Sequence, residues 1–226
     1  MSLESRNFEG RCRSSVKANG GVMTQEELKQ LVEAVAAWLQ FEVLCEREKY
    51  LSESALNYPL VQFFQSHGCR LWSEYPFPGT KRLLVDYAYA SRVRAQKPEG
   101  YIEVKRNALN FDSLLNDIVR LVELRKPGGN RFFLFVWTDR DDFRKKKPRR
   151  RIDPFLSLDT DKPLRRIDTA TRNWKRFAKA RKVFANKFLD GTRSKIHQFK
   201  TRLVGLDERS LGRAYITVAM WKITLR

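Results

Sequence analysis

Leu83-Leu84-Val85-Asp86-Tyr87-Ala88-Tyr89-Ala90 and, after a short polar break, Tyr101-Ile102-Glu103-Val104-Lys105 decide the reading of this chain. Both runs are strand-like and the gap between them is hairpin-sized. In the first, alternation predicts Asp86 on the face shared by Leu84 and Ala88, opposite Val85 and Tyr87. In the second, Glu103 and Lys105 share a face about 7 Å apart along the strand. Neighbouring strands lie about 4.8 Å apart, so a favourable register sets Asp86 beside Glu103. Two carboxylates that close repel each other and invite a divalent cation, and a lysine beside them suits hydrolytic chemistry.

The spacing alone says little, because ordinary charged content yields about one Glu-x-Lys by chance. Glu27-Leu28-Lys29 has the same spacing, but it lies in a helical pattern with no strand or aspartate partner. Context separates the second copy. After Lys105, Leu114, Leu115, Ile118, Leu121 and Val122 recur at helical spacing. Pro127-Gly128-Gly129 ends that helix, and Arg131–Thr138 is a nearly unbroken apolar run expected of a strand buried on both faces. Strand, helix and buried strand form a crossover unit, so these two strands should run parallel.

Upstream, Thr24-Gln25-Glu26-Glu27 is a capping box. It opens a helix striped by Leu28, Leu31, Val32, Val35, Leu39 and Val43. A second helix is expected from about Ser52 through Phe64, ended by Gly68, with Glu53 near its start and Pro59 as a blemish or kink. Arg70–Phe77 alternates like a strand up to the Pro78-Gly79 turn.

This order of helix, three strands, helix and strand resembles the PD-(D/E)XK nuclease superfamily, the restriction-endonuclease-like fold, over residues 48–139. The residues that carry the resemblance are Glu53 in the first core helix, Asp86 in the second strand, and Glu103-Val104-Lys105 in the third. Val85 stands where the superfamily pattern has proline, a position at which members often depart from it. The resemblance implies an α/β fold: a mixed central sheet flanked by helices (αβββαβ core), here with a basic helical C-terminal elaboration. It leaves a homodimer open, because many members pair to cut both strands.

Phosphodiester hydrolysis needs an attacking water, charge neutralisation at phosphorus and help for the departing oxygen. Hard oxygen ligands suit Mg²⁺, with Mn²⁺ as a substitute, and Mg²⁺ usually takes only one or two protein carboxylates. Asp86 and Glu103 would hold the ion, and the backbone carbonyl of Val104 would add a ligand. Lys105 would orient the water or stabilise developing charge. A lysine flanked by carboxylates stays protonated, which favours the electrostatic role over that of a base. Glu53 would reach in from its helix to hold a second ion or its water. Against this, Glu103 and Lys105 also suit a solvated cross-strand pair, and an exposed glutamate near a helix N-terminus is favoured by the helix dipole alone.

Lys plus Arg number 45 against 26 Asp plus Glu, a net charge of +19. So large a surplus points to a polyanionic partner, nucleic acid by default and DNA first. Lys145, Lys146, Lys147, Arg149, Arg150 and Arg151 form a compact block. Residues Thr171–Leu189 then read as a helix with Trp174, Phe177, Phe184 and Phe188 on its apolar side. Its opposite face carries Lys175, Arg176, Lys179, Lys182 and Lys187, and the surplus continues through Arg193, Lys195, Lys200 and Arg202. Such side chains neutralise phosphates without reading sequence. The aromatic residues fall on one stripe and read as core rather than as base-stacking platforms.

Cys12, Cys45 and Cys69 lack metal spacing and fit reduced thiols in an intracellular protein. His67, just before Gly68, reads as a helix-capping residue, and His197 has no evident catalytic partner. No Walker-type loop, signal peptide or membrane-length apolar run is present. Residues 1–22 read as loosely attached and 23–226 as one domain. Within it, 140–205 form a basic insertion and helix, Lys145–Asp168 being the segment expected to protrude. Residues 213–224 form a strand returning beside Phe132–Trp137. Two readings compete with a nuclease: a non-catalytic nucleic-acid-binding protein of the same fold, and a structural protein binding RNA through its basic tail.

Overall fold

A computed structural model describes residues 23–47, 51–77, 80, 83–107, 110–124, 129–139, 153–189, 195–212 and 214–225. The basic block Lys145–Arg151 and residues 1–22, expected to be loosely attached, lie outside the described residues. Within them the chain is α/β: a seven-stranded mixed sheet with four α-helices. The strands are β1 (Arg70–Pro76), β2 (Leu84–Ala90), β3 (Gly100–Arg106), β4 (Asn130–Asp139), β5 (Leu164–Asp168), β6 (Gln198–Leu211) and β7 (Ala214–Leu225). Their spatial order is β1-β2-β3-β4-β7-β6-β5. The helices are α1 (Gln25–Leu44), α2 (Asn57–Ser66), α3 (Phe111–Glu123) and α4 (Arg172–Phe188). None is long and apolar enough to cross a membrane.

Alternation along the central strands divides the core into two layers. On β4, Phe132, Leu134 and Val136 join one apolar cluster with α1 and α2. Phe133, Phe135 and Trp137 join the other, beneath α3 and α4. β3 pairs antiparallel with β2 and parallel with β4, as the crossover geometry requires. β7 returns antiparallel to β4 over Arg131–Asp139, as expected. Gly100, where β3 begins, is forced by packing. A Cβ there would meet the ring of fully buried Tyr89 at 2.3 Å. Gly100→Ala is therefore expected to lose about 1–3 kcal/mol of unfolding free energy in urea.

Four local expectations need correction. Residues Ser52–Phe64 do not form one helix: a 3₁₀ turn over Ser54–Leu56 leads into α2. Pro59 then falls in the first turn of α2, where no N–H is needed, so it neither blemishes nor kinks the helix. The segment before β5 does not protrude in its described part. Phe155 and Leu156 are fully buried, Trp221 Nε1 donates to Ser157 O at 2.7 Å, and Thr201 Oγ1 bonds Phe155 O. Finally, Lys200 and Arg202 belong to a 14-residue strand, β6, rather than to a basic tail.

The α1 capping box forms, with Thr24 Oγ1 accepting from Glu27 N and Glu27 Oε2 accepting from Thr24 N. His67 caps α2 through a 2.8 Å contact between Nδ1 and Phe63 O, ahead of Gly68 at φ +67°.

Candidate functional site

The site is built where β2 leaves β3. The two strands pair only over Tyr87–Tyr89 and Gly100–Ile102. On the other side of β2, Glu74 adopts φ +50° between the pairs Ser73–Tyr87 and Tyr75–Val85. Side-chain alternation resets there. Val85 and Ala88 enter the same core cluster, as do Trp72 and Tyr75 around Glu74, whereas Tyr87 lies in the opposite layer. The expected grouping of Ala88 against Val85 therefore fails, because strict period two does not survive a left-handed residue in the partner strand.

The splay frees Asp86 from pairing opposite Glu103. Its Oδ2 instead accepts from the Val104 N–H at 2.7 Å, replacing a missing ladder bond. Glu103 projects from β3 beneath α3 and is completely buried, with Oε2 accepting from Arg120 Nη1 at 2.9 Å. Its other oxygen, Oε1, receives no hydrogen bond from the described residues. Lys105 Nζ, on the same face, lies 3.4 Å from Glu53 Oε1 and 3.5 Å from Asp117 Oδ2. Glu53 also accepts from the Arg106 N–H at 3.2 Å, which ties the 3₁₀ turn to the end of β3.

Beyond Lys105, Asn107 at φ +46° makes two amide bonds to the Thr138 backbone, which fixes where β3 ends. A cleft of about 330 Å³, bordered by Glu53, Ser54, Asn57, Ser73, Asp86 and Val104, opens beside these groups. All four expected residues, Glu53, Asp86, Glu103 and Lys105, are thus brought into one connected neighbourhood.

Sequence reasoning missed two members, Asp117 and Arg120 of α3. Arg120 Nη2 lies 3.6 Å from Asp117 Oδ1, so a chain of alternating charge runs Glu103–Arg120–Asp117–Lys105–Glu53. The signal was available in the helical pattern. Asp117 and Arg120 are three apart and stand outside the Leu114–Ile118–Leu121 stripe.

Electrostatics follows from burial. Desolvation, and then the Asp86 carboxylate, push Glu103 well above the usual carboxylate range, with Arg120 pulling against them. Burial pushes Asp117 up to about 6 despite Lys105 and Arg120. Burial opposes the charge on Lys105, but Asp117 and Glu53 outweigh it and raise its pKa. Tyr87, at the cleft, is pushed up to about 12 by burial and then by Asp86, Glu53 and Glu74.

In the window between its ordinary value of 3.8 and about 6, native Asp117 holds a proton that the unfolded chain has lost. Its contribution to stability therefore falls as pH rises through that window. Asp117→Asn removes the effect. Relative to the parent protein it is expected to gain up to about 3 kcal/mol between pH 4 and pH 7, read from denaturant unfolding at each pH. A constant difference would mean that Lys105 and Arg120 offset the burial completely.

Four carboxylates against Lys105 and Arg120 leave two negative charges when all ionise, and among the described residues Glu103 Oε1 is a buried acceptor with no donor. Both features fit a divalent cation shared by Asp86 and Glu103. Among the described residues no group of three or more histidine, cysteine, aspartate or glutamate side chains is poised to hold an ion. A pair of carboxylates against the Val104 main chain, whose N–H Asp86 accepts, matches the sparse protein ligation of Mg²⁺.

The expected nucleic-acid-binding residues of α4 divide cleanly. Lys175, Arg176, Lys179, Lys182 and Lys187 are exposed, Phe177 and Phe184 are buried, and Trp174 and Phe188 pack partly buried against the core. The aromatic stripe is therefore core. Arg181, on the same helix, is buried instead. No family model, curated protein or solved structure matches the chain.

Proposed function

We propose that the chain is a metal-dependent nuclease with a restriction-endonuclease-like core, hydrolysing phosphodiester bonds in nucleic acid, DNA first. The observation that carries the reading is the completely buried Glu103 carboxyl set against Asp86, its Oε1 without a donor among the described residues, with Lys105 on the same face of β3. Asp86, Glu103 and the Val104 carbonyl would hold Mg²⁺. The ion, when bound, supplies charge neutralisation at the phosphate and a more acidic water.

The remaining work falls to the chain's own groups. Asp117 and Glu53 keep Lys105 protonated, so it orients water and stabilises negative charge rather than taking a proton. Arg120 holds the Glu103 carboxylate in one orientation through Oε2. Glu53, bonded to Lys105 and to the Arg106 N–H, positions the lysine. The exposed lysines of α4, within a net charge of +19, draw in the polyanion.

The test is incubation with supercoiled plasmid and with single-stranded DNA, in Mg²⁺, Mn²⁺ or EDTA, alongside Asp86→Asn, which keeps the bond from the Val104 N–H, and Lys105→Ala. Metal-dependent cutting lost in both variants is expected. A second reading, a non-catalytic nucleic-acid-binding protein, is favoured by one observation: Arg120 already neutralises Glu103 from within the chain. It calls for binding that needs neither metal nor Asp86, with no cutting by the parent protein.

A further inference from the structure

We infer that the groove between α3 and α4 is a track for one strand of nucleic acid. This rests on the nucleic-acid part of the proposed function and not on hydrolysis. The groove encloses about 460 Å³ and is bordered by Leu115, Asn116, Arg176, Lys179, Ala180 and Val183. Its two halves differ in chemistry. Leu115, Ala180 and Val183 give it an apolar lining, and Val183, 62% exposed, leaves that lining open to a ligand. Arg176 lies with its guanidinium 4.3 Å from the Phe111 ring centroid, a flat cationic surface at one end.

The crest of α4 carries Lys175, Lys179 and Lys182, all exposed. They are separated by rises of about 6 and 4.5 Å along the helix axis. That spacing lets flexible lysine arms meet successive phosphates of a single strand. Asp112 is the one carboxylate on the groove among the described residues. It repels phosphate and so sets the backbone on the lysine side.

The combination selects among polyanions. A duplex keeps its bases stacked inside and gains nothing from an apolar lining. A single strand presents base and sugar faces to Leu115 and Val183 while its phosphates meet the lysine crest. On α3, Asn116 of the groove and Arg120 of the carboxylate site are one helical repeat apart, so both features share that helix.

Fluorescence anisotropy with the full chain carrying Asp86→Asn, in EDTA, tests this on labelled dT20 and on a 20-base-pair duplex across a salt series. Binding of dT20 at least tenfold tighter than the duplex is expected. In Lys175→Ala/Lys179→Ala/Lys182→Ala the slope of log affinity against log salt for dT20 should shrink by about 2. Val183→Ser should weaken dT20 and leave the duplex unchanged. All four positions are exposed, so melting temperatures near that of the parent are expected and serve as the folding control. An unchanged slope in the triple variant, or duplex bound as tightly as dT20, would overturn the assignment. Failure of cleavage with the slope effect intact would sink hydrolysis and leave the groove standing; cleavage with an unchanged slope would do the reverse.

Discussion

Asp86→Asn is expected to slow Mg²⁺-dependent nicking of plasmid by about a thousandfold while leaving the melting temperature within a degree or so of the parent. The two halves of that expectation separate two roles of one side chain. Asp86 Oδ2 accepts the Val104 N–H at 2.7 Å, and an asparagine carbonyl oxygen accepts the same bond. Alanine would instead strip that N–H of its partner, at a cost of about 1–3 kcal/mol, and blur chemistry with folding. What asparagine removes is the charge.

A divalent ion stabilises transition-state charge by several kcal/mol, and each ~1.4 kcal/mol is about tenfold in rate. If Asp86 and Glu103 hold the ion as proposed, loss of one of two anionic ligands costs orders of magnitude. Retention of activity within about tenfold would make Asp86 a structural acceptor and remove the site from the nuclease reading. Lys105→Ala distinguishes a further point. If its charge stabilises the reaction, Lys105→Arg should recover part of the rate, since arginine stays charged but cannot act as a base.

The parts of the fold and site that were legible in the sequence are those governed by local periodicity. The unbroken apolar run of β4, the α3 stripe and the Thr24 capping box each state their element directly, and all three form. The common neighbourhood of Asp86, Glu103 and Lys105 followed from the same logic applied to two strands. What escaped is set by long-range packing.

β6 stayed hidden because its register shifts between Leu203 and Gly205, so Leu203 and Leu206, three apart, pack into the same layer and period two is lost midway. The reset at Glu74 and Asp86 depends on a left-handed residue in a neighbouring strand, which no alternation within β2 can report. Asp117 and Arg120 act in the site only because α3 folds back over β3. The burial of Arg181 within a visibly basic helix is of the same kind. Its partner lies 58 positions away in sequence.

That partner sets the other large effect. Glu123, completely buried at the end of α3, accepts a hydrogen bond from Arg181 Nε, and Arg181 Nη1 donates to Ile196 O at 3.3 Å. The pair joins α3, α4 and the approach to β6, so it fixes the angle at which the lysine crest stands against the sheet. Removing Glu123 takes a directly bonded counter-ion from Arg181 in a desolvated site. Glu123→Ala is accordingly expected to lose about 3–5 kcal/mol of unfolding free energy, measured by urea denaturation near pH 7.

Replacing both members with apolar residues of similar length, Glu123→Leu with Arg181→Met, removes both charges along with the ion pair. It should recover most of that loss, because desolvation of the two ions had already consumed much of their attraction. If the double variant is as unstable as the single one, the pair holds the helices by geometry that leucine and methionine do not reproduce. If Glu123→Ala costs under about 1 kcal/mol, water reaches Arg181 and the pair is not sealed. Between those outcomes lies a consequence for binding. A double variant that is stable but has lost the salt-sensitive grip on dT20 would mean that this ion pair sets the angle of α4 against the groove, and that the basic surplus works only when so aimed.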